Sequence, residues 1–241
     1  MIKIENVSKT YGSGVKAVDS VTLDIPDGAI FGFLGPNGAG KTTLIKMITG
    51  IIHADQGNIL VDGTNIRTNP IEAKLKIGFV PDDPNMFLRL KGLEYLNFMA
   101  DMYDVPKAGR SNDIKTLTER FGMQDALGDQ MQSYSHGMRQ KMILIGALIH
   151  KPKVWILDEP MTGLDPKSSF ELKEMMREHA DQGNVVFFST HVLEVAEKVC
   201  DQIAVINKGK ILYSGSLKDM RKSAQEDSSL EKIFLEMTEN G

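Results

Sequence analysis

The sequence has 241 residues, 41% hydrophobic and 25% charged, a balance that predicts one or two soluble domains with a sizeable core. Its longest apolar run, at residues 142–149, is far shorter than the roughly 18 residues of a membrane-spanning helix. The formal net charge is -4, so the chain lacks the excess of basic residues that is typical of a dedicated DNA-binding protein, and no nucleic-acid partner is expected. The single cysteine excludes an internal disulfide and fits a reducing cytoplasm.

Short, partly alternating runs lie near the amino end, and their period predicts antiparallel strands with one solvated face: residues 2–4, 21–25 and 59–61. Residues 1–5 alternate as an edge strand would and do not resemble a secretory leader. Later runs are continuously apolar, which is typical of strands buried on both faces: residues 30–34, 77–80, 154–157, 185–188 and 203–206. Helical stripes between these runs predict an α/β fold with a parallel core sheet covered by helices.

Strand-like runs disappear between Pro84 and Lys151, where helical spacing dominates, as at Leu93, Leu96 and Ala100. We therefore predict a helical lobe inserted into the α/β core, and an amphipathic helix near the carboxyl end. The predicted parts are a core at residues 1–85 and 151–215, a lobe at 86–150 and a helical tail at 216–241, with its helix at 229–238.

Residues 35–42 read Gly-Pro-Asn-Gly-Ala-Gly-Lys-Thr, a complete phosphate loop between a predicted strand and a predicted helix. Its glycines allow backbone NH groups to wrap a polyphosphate, and the helix amino terminus adds its positive dipole end. Lys41 is expected to reach the β and γ phosphates, and the Thr42 hydroxyl to bind Mg²⁺. A plain glycine-rich turn is the alternative, but chance would produce this pattern only about once in a hundred such chains. The predicted nucleotide contacts are Gly35, Pro36, Asn37, Gly38, Ala39, Gly40, Lys41, Thr42 and Thr43.

Asp158 and Glu159 follow the apolar run at residues 154–157. Adjacent strand residues point to opposite sides, so the two carboxylates are expected to differ in role. Asp158 would bind Mg²⁺, mostly through water, and Glu159 would act as general base on the attacking water. An acidic strand end that caps the following turn is the alternative. His191 follows another buried run, at the usual ligand edge of an α/β sheet, where it could hydrogen-bond the γ-phosphate.

In their order, these motifs resemble an ATP-binding cassette (ABC) ATPase over residues 2–215: Tyr11, residues 35–42, 134–138, 154–159, 163–165 and His191. The resemblance implies a P-loop NTPase fold with an amino-terminal antiparallel β subdomain and an inserted α-helical lobe. It implies that Tyr11 stacks on adenine, and that Ser135 and Gly137 bind the γ-phosphate of ATP held by the opposite subunit. Asp165 resembles the loop residue that communicates across the dimer.

Two motifs depart from the family pattern. The signature segment, commonly Leu-Ser-Gly-Gly-Gln, carries His136 and Met138 here, and we predict that ATPase activity rises as His136 is protonated. The coupling loop usually carries Gln where this chain has Asp82, a shorter and charged Mg²⁺ ligand. Asp83 is the alternative ligand.

The resemblance implies a homodimer or heterodimer that closes around two Mg-ATP, with ATP and Mg²⁺ as cofactors. Integral membrane permease subunits would be its partners, and the dimer would be cytoplasmic and peripheral on the inner face of the cell membrane. Met86, Phe87 and Leu88 are candidates for the permease contact, with ordinary core as the alternative. The resemblance favours export over import.

A soluble ABC ATPase that acts on ribosomes or DNA is the competing function. Such proteins usually carry tandem cassettes, long coiled coils or basic extensions, whereas this chain has one cassette and net negative charge. A nucleotide-binding regulator without turnover is a third possibility, disfavoured by Glu159.

Overall fold

The computed structural model describes residues 1–12, 14–222 and 234, and the strands among them form a four-stranded and a six-stranded sheet. The strands are β1 (Ile2–Thr10), β2 (Lys16–Ile25), β3 (Ile30–Leu34), β4 (Gln56–Val61), β5 (Thr64–Asn65), β6 (Ile77–Val80), β7 (Val154–Asp158), β8 (Val185–Thr190), β9 (Gln202–Asn207) and β10 (Lys210–Gly215). The helices are α1 (Lys41–Ile48), α2 (Pro70–Leu75), α3 (Gly92–Met102), α4 (Lys107–Phe121), α5 (His136–Leu148), α6 (Pro166–Asp181), α7 (Leu193–Val199) and α8 (Leu217–Lys222). No helix in this described part is long and apolar enough to cross a bilayer.

The smaller sheet is antiparallel and has the order β2-β1-β4-β5. Ile2 lies opposite both Ile25 and Val61, so β1 is an interior strand and the predicted edge position is wrong. Alternation reports one solvated face and carries no information on how many neighbours a strand has. The strands also extend beyond their apolar runs into polar residues, as β1 does to Thr10.

The larger sheet has the order β10-β9-β3-β8-β7-β6, and its strands are parallel except β10, which pairs antiparallel with β9. Every residue of β3, β7 and β8 is buried, as their unbroken apolar runs predict. Because the strands are parallel, their carboxyl ends meet at one edge of the sheet. The loops that follow β3, β7 and β8 therefore converge there.

The helical lobe contains α3, α4 and α5, with two 3-10 turns at Gln124–Ala126 and Met131–Ser133. Its packing differs from the predicted stripe, because Leu93 is exposed and Tyr95 is buried instead. The Tyr95 ring lies against Gly146 of α5, where a Cβ would collide with it. A small rotation of a helix about its axis exchanges such neighbouring positions, and the sequence period does not resolve it.

An ion-pair cluster joins the lobe to the core. Arg120, near the end of α4, pairs with Glu171 on α6 and with both carboxylate oxygens of Glu178, at 2.5 and 3.0 Å. The guanidinium group is partly buried, and its planar fork matches the Glu178 carboxylate. We call Arg120, Glu171 and Glu178 the lobe clamp.

The predicted tail helix at residues 229–238 lies outside the described residues except for Phe234. The Phe234 side chain packs against an apolar cluster that includes Leu34 of β3 and Val205 of β9.

Candidate nucleotide-binding site

The phosphate loop runs from the end of β3 into α1, as predicted. Gly38 and Gly40 have φ angles of 79° and 113°, in the region that favours glycine. A Cβ on Gly40 would also collide with the Ala17 carbonyl, and one on Gly35 with the Ile206 carbonyl. Gly35 is therefore required by its contact with β9, whereas the sequence argument assigned it only to phosphate access.

Lys41 is the first residue of α1 and is only 6% exposed. Its ammonium donates to the Gly35 carbonyl at 2.7 Å and lies 3.5 Å from Glu159 Oε1. The phosphate loop thus surrounds the ammonium group of Lys41. A bound triphosphate would replace these neighbours with oxygens of higher negative charge.

A cavity of about 200 Å³ opens beside this loop and brings Asp82 and Glu159 to it. Ala17, from β2, also lines the cavity, and sequence reasoning missed this residue because it carries no functional group. The lining residues are Ala17, Pro36, Asn37, Gly38, Gly40, Lys41, Thr42, Thr43, Asp82 and Glu159. Burial, and then the neighbouring Asp158 and Glu159 carboxylates, raise the pKa of Asp82.

Asp158 and Glu159 lie at the end of β7, and β8 runs beside them. Glu159 Oε2 is 3.0 Å from His191 Nδ1, so Glu159 lies between Lys41 and His191. The Ser189 hydroxyl, on β8, donates to Asp158 Oδ1 at 2.5 Å and accepts from the Glu159 backbone NH at 3.0 Å. Sequence reasoning missed Ser189, although a hydroxyl that ends a buried apolar strand was a usable signal.

The oxygen atoms at this edge of the sheet are suitable ligands for Mg²⁺. The Thr42 hydroxyl and the Asp82 and Asp158 carboxylates are hard oxygen ligands, and Mg²⁺ commonly combines one or two carboxylates with substrate phosphates. Among the described residues, no group of three or more His, Cys, Asp or Glu side chains forms a metal site by itself. This donor set is therefore suited to a metal that arrives with the nucleotide.

The signature segment lies at the amino end of α5. Ser135 is the N-cap residue, and its hydroxyl accepts from the Met138 backbone NH at 3.3 Å, as the sequence argument expects. Gly137 and the His136 ring lie against Gly163, where a Cβ on Gly137 would approach the Gly163 carbonyl to 2.6 Å. The described residues that line the phosphate-loop cavity do not include Ser135 or Gly137.

Asp165 caps α6 and also accepts from Lys141 of α5 at 2.8 Å. The hydrogen bonds from Lys141 and from Ser168 hold the pKa of Asp165 well below its usual range. Like Ser135, Asp165 is not part of the described lining of the phosphate-loop cavity. Tyr11 follows β1 and is 44% exposed, and it is also not among those lining residues.

A phosphate loop at a strand–helix junction, facing a strand-end carboxylate, defines a P-loop protein that binds a nucleoside triphosphate. The sequence profile described as ABC transporter matches residues 18–162, more than half of the chain. The chain belongs to the ABC transporter family, in which it is an ATP-binding subunit with ATPase activity. The recognised family and the α/β P-loop fold are thereby confirmed.

Similar proteins support this assignment along most of the chain. The sequence is 35% identical over 222 residues to the ABC transporter ATP-binding protein NatA of Bacillus subtilis (strain 168), covering 92% of this chain and 90% of that protein. It is 34% identical over 220 residues to the linearmycin resistance ATP-binding protein LnrL of the same organism, covering 91% of this chain and 70% of LnrL.

Solved structures show the same architecture. An ATP-binding subunit of an ABC transporter superposes with a TM-score of 0.93 at 28% identity, covering 98% of this chain and 99% of that one. The dimeric post-hydrolysis state of the ATP-binding cassette MJ0796, bound to ADP and Pi, superposes with a TM-score of 0.82 at 23% identity, covering 90% and 99%. The second likeness bears on the fold alone.

Proposed function

We propose that the chain hydrolyses Mg-ATP at the phosphate-loop cavity and that hydrolysis drives export through separate membrane subunits. In this proposal, residues 1–85 and 151–215 form the nucleotide-binding core, 86–150 the signature lobe and 216–241 a carboxyl-terminal tail. Tyr11 stacks on adenine, and the backbone of residues 35–43 surrounds the phosphates. Thr42, Asp158 and Asp82 hold Mg²⁺, which neutralises charge on the phosphate oxygens when bound.

The position of Glu159 is the observation that supports the proposed ATP hydrolysis. Its carboxylate lines the cavity, 3.5 Å from Lys41 and 3.0 Å from His191. From this position Glu159 accepts a proton from the attacking water, Lys41 binds the β and γ phosphates, and His191 donates a hydrogen bond to the γ-phosphate.

A second copy or a paralogue completes each site. The resemblance to ABC ATPases supports a head-to-tail pairing, in which Asp165 lies at the dimer contact and the helix tip that Ser135 caps faces the ATP of the partner. Free NH groups at the amino end of α5, beyond the one that Ser135 caps, suit an anionic γ-phosphate. One of the fold relatives is a dimeric cassette, which is compatible with pairing of two copies.

In this proposal, the permease contact lies at the start of the lobe. Met86 and Phe87 are 41% and 36% exposed, and the Phe87 ring contacts the exposed Phe98 at 5.5 Å between centroids. This apolar surface suits a short helix of a membrane subunit, which would hold the dimer on the inner face of the cell membrane. LnrL is named for linearmycin resistance, which favours export as the direction.

The variant Glu159→Gln tests the catalytic proposal. Loss of the general base should lower turnover by about 10²-fold while ATP binding persists, so that ATP traps a closed dimer on size-exclusion chromatography. Lys41→Ala is the contrasting variant, because it should lose tight nucleotide binding and stay monomeric. Normal hydrolysis by Glu159→Gln would falsify the assigned base.

Fractionation tests the transport proposal. Membrane association that requires a co-expressed hydrophobic permease, and that is lost in Phe87→Asp, supports it. Salt-sensitive co-sedimentation with ribosomes would instead support the competing function.

A further inference from the structure

Ser189 lies where β8 passes the end of β7. Asp158 and Ser189 are register partners of the two parallel strands, and they are 2% and 0% exposed. A polar side chain at this depth needs hydrogen-bond partners, and the Ser189 hydroxyl supplies one to Asp158 at 2.5 Å. A serine at this register position therefore fixes one oxygen of the Asp158 side chain.

The same hydroxyl holds the backbone of the next residue, because it accepts from the Glu159 NH at 3.0 Å. A hydroxyl has a single proton, and here that proton points to Asp158 while a lone pair receives the NH of Glu159. The two bonds orient each other. Ser189 thus connects a buried carboxylate to the peptide group of its neighbour.

Glu159 needs such a support because its backbone is strained. Its φ is 49°, a left-handed conformation that side-chain-bearing residues rarely adopt, and Pro160 follows it. Such conformations persist only where the surroundings hold them in place. This turn directs the carboxylate towards Lys41 and His191, so the aim of the side chain depends on the backbone that Ser189 holds.

We propose that Ser189 is a positioning residue for ATP hydrolysis, which sets the Mg²⁺-binding carboxylate and the general base relative to each other. The inference rests on the roles proposed above for Asp158 and Glu159. Ser189 itself does not line the cavity, and it acts through these two residues. His191 is two residues after Ser189 in the chain. The end of β8 therefore helps to position Asp158, Glu159 and His191.

The test compares Ser189→Ala with Ser189→Thr, which keeps the hydroxyl. Loss of a hydrogen bond to a charged group predicts that kcat of Ser189→Ala falls about tenfold and that Ser189→Thr recovers most of it. Two measurements without turnover accompany kcat. Electron paramagnetic resonance of Mn²⁺ should show weaker binding to the ADP complex of Ser189→Ala, and hydrogen exchange at the Glu159 amide of the nucleotide-free protein should be faster.

Thr118→Val is the matched control, because Thr118 is also a fully buried hydroxyl, on α4 and bonded within its own helix to Ile114. It should leave kcat, Mn²⁺ binding and Glu159 exchange unchanged. The proposal would be overturned if Thr118→Val lost as much kcat and Mn²⁺ affinity as Ser189→Ala. It would also be overturned if Ser189→Ala kept the kcat and the Mn²⁺ affinity of the wild type. Glu159→Gln is assayed in parallel to test whether Glu159 is the general base. Hydrogen exchange at the residue 159 amide tests the Ser189 contact independently, because it depends on the hydrogen bond to Ser189 and does not depend on the catalytic role of Glu159.

Discussion

The lobe clamp offers a quantitative prediction about how the lobe is joined to the core. The variant Arg120→Met keeps the apolar stem and removes the charge that pairs with Glu171 and Glu178. Exposed ion pairs contribute about 0–1 kcal/mol each. Here the three side chains are 28%, 26% and 53% exposed, and one pair is bidentate. We therefore expect a loss of about 1–2 kcal/mol in the free energy of unfolding.

This loss corresponds to a decrease in Tm of about 2–8 °C, since about 1 kcal/mol shifts Tm by about 2–4 °C at this chain length. Thermal unfolding followed by calorimetry measures it in the nucleotide-free protein. The double variant Arg120→Met with Glu178→Gln should lose less than the sum of the two single variants, because the shared contact is lost only once. Raising the salt concentration should reduce the difference from the wild type.

Lys115→Met is the control, because within the described part of the chain Lys115 forms its ion pair inside α4, with Glu119 at 3.9 Å, and its side chain is 70% exposed. Its effect should stay within about 0.5 kcal/mol. Additive effects of Arg120→Met and Glu178→Gln, or an equal loss in Lys115→Met, would refute the view that the clamp couples the two parts.

Three further predictions concern single positions. Gly40→Ala should weaken ATP binding measured by calorimetry, because its φ of 113° and its contact with the Ala17 carbonyl exclude a Cβ; wild-type affinity would contradict this. Burial lowers the pKa of His150 from 6.5 to about 4, so its folded form binds fewer protons than its unfolded form, and its contribution is complete above about pH 6.5 and lost as pH falls towards 4. His150→Phe, which keeps the stacking on Tyr103, should therefore lose less Tm between about pH 7 and 5 than the wild type, and an equal loss would count against the assignment. His136→Gly should remove the rise in ATPase activity on acidification that we predict for the wild type, and an unaltered pH profile would argue against that role.

The sequence predicted the core well where a single physical requirement decides the pattern. Strands buried on both faces must be apolar throughout, and β3, β7 and β8 lie where their runs predict. A polyphosphate cradle needs glycines next to a lysine, and the cavity lies beside that loop.

Residues that depend on strand pairing were less accessible to prediction. Ser189 meets Asp158 only because β8 aligns with β7, and the two residues are 31 positions apart in the chain. The interior position of β1 and the requirement for glycine at Gly35 have the same origin, since both depend on a neighbouring strand. Local periodicity describes which faces are buried, and it does not identify the neighbour.

The close contact between Gly137 and Gly163 has a mechanical consequence. Together with the Lys141–Asp165 ion pair, it fastens the tip of α5 to the loop that follows Glu159, the proposed general base, leaving no room for one to slide past the other. In the proposed dimer, a shift of the Glu159 loop after hydrolysis would carry the tip of the same chain with it. Phosphate release from one subunit would then weaken the binding of ATP in the site of the other subunit.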